Sequence, residues 1–225
     1  MSQPRGVLFD VDGTLVDTTY IHAVCWWLAF RKADLDVPMA RIHRAVGMGA
    51  DQLVPHVLNQ DRSDIDELDA AHGALYSMYW PALRLLPGAR DLVRHAHTAG
   101  LVTVLASSAS PRELEVLRRL LDADDSLDHA TSSKDAEDSK PAPDLVSAAL
   151  EKAALDPAAS VFVGDSVWDV EACAKAQVAC IGLECGGTSA AELRAAGAIQ
   201  TFEDPGDLLA HWDETMLGRA ETRNR

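Results

Sequence analysis

The sequence predicts a doubly wound α/β fold: a parallel sheet covered by helices on both faces, with an all-helical domain inserted into it. Three observations predict it. Apolar runs that end in a polar cluster and lead into a helical stretch recur along the chain, residues from about 17 to 85 lose that rhythm, and 225 residues suit one core plus an insert. Hydrophobic residues make up 48% and charged residues 24%, which sets aside disorder, collagen-like repeats and coiled coil for the whole chain.

The first element is Gly6-Val7-Leu8-Phe9-Asp10, an apolar run without helical spacing that delivers carboxylates at its C-terminal end. Asp12-Gly13-Thr14 follows as a polar turn. From about 17 to 85 apolar positions recur at spacings of three and four, and Pro87-Gly88 marks the return to alternation, so the segment reads as a helical cap. Residues 101–106 repeat the strand pattern and end on Ser107-Ser108. Ser110-Pro111-Arg112-Glu113 reads as a capping box with proline at the first helical position. Residues 160–163 form a third such run, ending on Gly164-Asp165-Ser166, and shorter strands are expected near 178–183 and 198–202. The core is thus 1–16 plus 86–225, the cap is 17–85, and the polar tail after about Met216 is expected to fray. Ligands of such sheets bind beyond the carboxyl ends of the strands, so the tips at 10–14, 107–108 and 165–169 are expected to form one composite site.

Charge narrows the partners. Twenty Lys and Arg against 35 Asp and Glu give a net charge of −15, which repels nucleic acid and anionic lipid. No nucleic-acid or membrane partner is expected, and a phosphorylated small molecule needs a local cation to enter. Cys25, Cys173, Cys180 and Cys185 lack metal or redox spacing, no targeting segment is visible, and apolar windows are too short to span a bilayer. Free thiols and a cytoplasmic location are the expectation; the oligomeric state is not legible.

Asp10-Val11-Asp12-Gly13-Thr14 carries the most chemistry. A D-x-D-G-T string arises by chance in a chain this long on the order of one time in a thousand. Its bland reading is an Asx-type turn. Against that stands a second acidic pair, Asp165 and Asp169, at another strand tip. Like charges ~4 Å apart cost about 4 kcal/mol even at an effective dielectric near 20, so four such carboxylates require a cation. All-oxygen ligation favours Mg²⁺ over zinc. Lys140, pinned in Ser139-Lys140-Pro141-Ala142-Pro143-Asp144, is suited to hold a carboxylate and phosphoryl oxygens together. Ser107 offers a hydroxyl and an adjacent amide.

The four segments DVDGT, LASS, SKPAPD and GDSVWD, in that order, resemble the haloacid dehalogenase superfamily, in its phosphatase branch with a small helical cap, near phosphoglycolate phosphatases and beta-phosphoglucomutases. The resemblance spans nearly the whole chain. It implies a nucleophilic Asp10 that forms an aspartyl phosphate, Asp12 as general acid and then base, and Ser107 and Lys140 on the phosphoryl group. It also implies Mg²⁺ held by Asp10, the Asp12 carbonyl and Asp165, with Asp169 in support. Thr14 and Ser108 are expected to touch substrate with Ser107. The implied activity is hydrolysis of a small phosphomonoester; the alternative is a sugar-phosphate mutase.

Thr18, His22 and Trp26 share one helical stripe, which places His22 at the substrate or within the cap, while Trp26 is expected to pack. Met48, Trp27 and neighbouring glycines suggest a partly apolar lid, with Met48 against substrate. A mutase of this cap class would offer an arginine for a second phosphate where this chain has Ala50, and its fourth motif begins Gly164-Asp165 rather than Glu-Asp. Both departures favour hydrolysis, with Arg44 the remaining substitute.

Overall fold

The computed structural model describes residues 5–218, so residues 1–4 of the expected core and most of the tail after Met216 lie outside the described residues. Six strands form one parallel sheet: β1 Gly6–Phe9, β2 Val102–Ala106, β3 His129–Thr131, β4 Ser160–Gly164, β5 Ala179–Leu183 and β6 Gln200–Phe202, in the order β3-β2-β1-β4-β5-β6. β1 pairs in parallel with both β2 and β4, which makes its C-terminal end the topological switch point. Two-residue alternation along β1 sends Val7 and Phe9 into one apolar cluster and Leu8 into the other, so both faces of the sheet are covered.

Helices α1 Thr19–Lys32, α2 Met39–Ala45, α3 Ala50–Leu58 and α4 Ile65–Ser77 follow β1 without an intervening strand. They bury a cluster of their own, in which Trp26 and Phe30 meet Ile42, Leu53 and Leu68. The chain leaves and re-enters the sheet layer along two adjacent connections: the Asp17 amide donates to the Arg84 carbonyl at 3.0 Å, and the Leu86 amide to that of Leu15 at 3.0 Å. The remaining helices, α5 Ala89–Thr98, α6 Pro111–Leu121, α7 Asp144–Lys152, α8 Val167–Lys175, α9 Ala190–Ala196 and α10 Pro205–Ala210, flank the sheet. No helix of the described residues is long and apolar enough to cross a membrane. The four cysteines are free.

Two local expectations need correction. β3 has only three residues, one of them a histidine, and pairs on one side only, so it carries no apolar run to signal it. The capping box at Ser110 is half made: the Ser110 hydroxyl accepts the Glu113 amide at 3.3 Å, and the Glu113 carboxylate, 3.8 Å from His22 Nε2, does not close the reciprocal bond.

Candidate active site

Parallel pairing carries the strand tips to one place. Asp10 follows β1 directly, its amide donating to Val163 of β4 at 2.9 Å. The loop beyond it turns tightly: the Leu15 and Val16 amides both donate to the Val11 carbonyl at 2.9 Å, and Gly13 takes φ +79°, open to glycine without strain. A Cβ on Gly13 would also collide with the Thr19 hydroxyl. On the far side of the site Asp169 sits in the first turn of α8 and completes a reciprocal capping box with Ser166, accepting its amide at 3.0 Å and its hydroxyl at 2.7 Å.

Lys140 joins these segments. Its side chain is 1% exposed, its Nζ donates to Asp10 Oδ1 at 2.7 Å, and the same Nζ lies 2.6 Å from Asp169 Oδ1. Burial disfavours its charge, and the two carboxylates outweigh that effect and hold the ammonium protonated, above its ordinary pKa. Asp10, 4% exposed, is pushed up to about 7 by burial, with Asp169 and Asp12 adding to the effect against Lys140. Asp165 is driven well above the carboxylate range by burial and then by Asp169 and Asp10. Asp10, Asp165 and Asp169 each bring an oxygen within 4.8 Å of the others. Beside one ammonium, three buried carboxylates leave excess negative charge, which is the condition a hard cation satisfies.

The donor set fits such a cation. It is all oxygen, and the loop after β5 leaves room for it: a Cβ on Gly186 would collide with Asp165 Oδ2. Asp169 has Lys140 at one oxygen and Ser166 at the other, so it supports the cluster through these neighbours. Its placement makes it an anchor for Lys140. Thr14, expected at substrate, is fully buried, and its hydroxyl donates to Asp165 Oδ1 at 3.0 Å and approaches Asp10 Oδ2 at 3.5 Å. It orients carboxylates from below.

Asp12 faces the helices. Its Oδ1 accepts the Thr18 hydroxyl at 2.8 Å and lies 3.2 Å from His22 Nε2. Burial opposes ionisation of Asp12, but the hydrogen bond and charge of His22, with the Thr18 hydroxyl, overcome it and lower the pKa. His22 is correspondingly raised: burial lowers its pKa, and Asp12 and Glu113 more than compensate. Its Nδ1 lies 3.1 Å from Nε2 of His72 on α4, and its ring stacks on Tyr76 with centroids 4.0 Å apart.

A cavity of about 550 Å³ opens above this cluster, lined by Asp10, Asp12, His22, Met48 and Ser108 among others. The Ser108 hydroxyl has no hydrogen-bond partner, and fully buried Ser107 accepts the Ala109 amide at 3.0 Å, which leaves its own O–H proton free to donate. The structure therefore brings Asp10, Asp12, Ser108, His22 and Met48 to the cavity and sets Lys140, Asp165, Asp169 and Thr14 within the buried layer. Ser107 holds the turn between them.

Three residues of the site escaped sequence reasoning. Glu113 was absorbed by its capping motif, His72 lies 50 positions from its partner His22, and Gly186 belongs to Cys185-Gly186-Gly187, a glycine pair after an apolar run. That last signal was legible, because paired glycines at a strand tip mark close approach. The lid mixes apolar and acidic groups: Val46, Met48 and Ile65 line the cavity with Gly47 and Gly49, and α3 and α4 add Asp51, Asp66 and Asp69, while Trp27 packs on the helical cluster with Arg31 6.0 Å over its ring.

Comparison with known proteins gives a consistent result. A phosphoglycolate phosphatase of Pseudomonas fluorescens (strain Pf0-1) is 27% identical over 195 residues, covering 81% of this chain and 70% of the relative. The protein CbbY of a Cupriavidus necator plasmid is 28% identical over 180 residues, 72% of this chain and 71% of the relative. A crystal structure of a hydrolase from Pseudomonas syringae superposes with a TM-score of 0.89 at 29% identity, covering 94% of this chain and 98% of that one. The haloacid dehalogenase-like hydrolase family matches residues 4–177. That span contains the whole buried cluster from Asp10 to Asp169, and the chain belongs to the haloacid dehalogenase-like hydrolase family.

Proposed function

We propose that the chain is a Mg²⁺-dependent phosphatase that hydrolyses a small-molecule phosphomonoester through an aspartyl phosphate on Asp10, with 1–16 and 86–225 as catalytic core and 17–85 as cap. The observation that supports it most is Lys140, buried between Asp10 at 2.7 Å and Asp169 at 2.6 Å beneath the cavity floor. A nucleophilic carboxylate needs an anchored orientation, and the ammonium supplies it while leaving Asp10 Oδ2 with only the 3.5 Å contact from Thr14. Curated relatives named phosphoglycolate phosphatase support a phosphorylated substrate.

In this reading the Asp10 carboxylate attacks phosphorus and the P–O bond to the alcohol breaks. Asp12 delivers a proton to the departing oxygen. Asp12 is itself held ionised in the free protein, and His22 Nε2, 3.2 Å from its Oδ1, is placed to resupply the proton it passes on. Asp12 then takes a proton from the water that attacks the aspartyl phosphate, releasing inorganic phosphate and restoring Asp10. The Ser108 hydroxyl, unpartnered at the cavity, is placed to donate to the phosphoryl group. Asp10, Asp165 and the backbone of Asp12 would hold the Mg²⁺, which supplies charge compensation for the phosphoryl oxygens.

Stripping the metal with chelator is expected to cut phosphate release at least about 100-fold, and adding back Mg²⁺ to restore it. The melting temperature should rise in parallel, since ligand at ~100 times its Kd stabilises by about 2.7 kcal/mol. Release that is indifferent to chelator sinks the metal assignment. A sugar 1-phosphate with catalytic bisphosphate separates hydrolysis from isomerisation, and free phosphate is the expected product. The structure favours it because Arg44, the candidate for a second phosphate, is bonded to Glu192 at 3.0 Å.

Gly186→Ala tests the cradle around Asp165. The added methyl displaces the Asp165 carboxylate, so Mg²⁺ affinity by calorimetry should fall about 10- to 100-fold. An unchanged affinity would remove Asp165 from the ligand set.

A further inference from the structure

We propose that the substrate is the phosphate ester of an amino alcohol: the cavity that ends on Asp10 and Asp12 offers carboxylates and no Lys or Arg to the leaving group, and so selects one bearing an ammonium. The inference rests on the phosphatase reading and specifies its substrate class.

Asp51, Asp66 and Asp69 from the helical insert and Glu113 and Glu137 from the sheet side line the cavity together with the catalytic pair. Among the described residues that line it there is no lysine or arginine. The arginines of residues 17–85 are engaged elsewhere: Arg31 with Asp36, Arg62 with Asp64, Arg44 with Glu192, Arg41 with the His56 carbonyl and Asn59, and Arg84 with the Leu83 carbonyl. Lys140 is spent below the floor on Asp10 and Asp169. His22, the remaining basic group beside the catalytic pair, is taken up by Asp12 and His72.

A leaving group with a carboxylate or a second phosphate would therefore place its charge among like charges with nothing to pair it, which is how a site rejects a ligand. An ammonium meets the opposite situation. Asp69 is held above its ordinary pKa by burial and by Asp66 and Asp51, as carboxylates without a counter-charge are. A volume of about 550 Å³ is that of a small-ligand pocket.

The test compares three two-carbon esters that differ in the charge at their far end, phosphoethanolamine, 2-hydroxyethyl phosphate and 2-phosphoglycolate, with p-nitrophenyl phosphate as reference. We expect kcat/KM to fall in that order, with ~100-fold or more between the first and third. Relative to the neutral ester, added salt should slow the cationic substrate and speed the anionic one, as screening requires. The double variant Asp66→Asn, Asp69→Asn should reduce the cationic-to-anionic ratio of kcat/KM at least about fivefold. Turnover of 2-phosphoglycolate equal to that of phosphoethanolamine, or a ratio unmoved by the double variant, overturns the inference while phosphatase activity stands. Failure to hydrolyse any of the four esters removes the phosphatase reading, and this inference with it.

Discussion

Asp10→Asn is expected to lower phosphate release by at least about 10⁴-fold while leaving the protein as stable as before or slightly more so. Both halves follow from the same surroundings. An amide cannot attack phosphorus and hold the resulting acyl phosphate, so the covalent route closes, and only positioning by the rest of the site remains. Stability is spared because the native carboxylate is not at ease: burial and the neighbouring Asp169 and Asp12 push it up to about 7 despite Lys140. Replacing it with a neutral isostere removes a charge that the interior resists and keeps an oxygen able to accept from Lys140 Nζ, now 2.7 Å from Asp10 Oδ1. Lys140 also keeps its pairing with Asp169. The measurements are steady-state phosphate release, thermal melting in chelator, and acid-quench trapping of radiolabelled phosphate on the protein. Label that is hydroxylamine-labile in the native protein and missing from Asp10→Asn is the expected pattern. More than about 1% residual turnover in this variant and in Asp10→Ala would refute the nucleophile assignment.

How much of this was legible in sequence depends on whether a residue is announced by its neighbours. Asp10 and Asp165 were readable because each closes an apolar run that has no reading except a buried strand, and a parallel sheet must carry such tips to one edge. The helical insert was readable from its change of period. β3 was not, because an outer strand of three residues buries too little to leave a pattern. Glu113 shows a different failure. Its position after Ser110 fits a helix-capping rule, and nothing in that local motif signals that packing brings the carboxylate within 3.8 Å of His22 Nε2. His72 reaches His22 only because α1 and α4 pack together, and no local spacing encodes that. The charge of the cavity wall was hidden for the same reason: Asp51, Asp66 and Asp69 share no local motif, and only the packing of α3 and α4 sets them around one cavity.

Lys140→Met should be the most damaging single change to the site as a whole, because it strikes both chemistry and stability. The side chain is 1% exposed, and methionine fills much of its volume, so packing beneath the cavity is largely kept and the effect read is that of the lost charge. Asp10 and Asp169 then face each other with no ammonium between them. Removing one member of a buried ion pair costs about 3–5 kcal/mol, since the charges left behind are uncompensated. In metal-free protein the deficit has a predictable pH dependence. A buried carboxylate whose folded pKa stands above its unfolded value is best tolerated below the unfolded value, where it is protonated in both states, and it loses stability as pH rises through the folded one. Asp10 already stands at about 7 with Lys140 present, and without the ammonium it shifts further up. The gap in melting temperature between the variant and the native protein, measured in chelator, should accordingly widen as pH rises through about 7, from pH 6 to pH 9, and Mg²⁺ should narrow it by restoring a cation near Asp10. Phosphate release at saturating Mg²⁺ should still fall about 10²- to 10³-fold, because the metal replaces the charge but not the donor that orients the Asp10 carboxylate. A gap that stays constant across that pH range would show that Lys140 does not offset the charge of these carboxylates, and near-native turnover would take it out of the catalytic machinery.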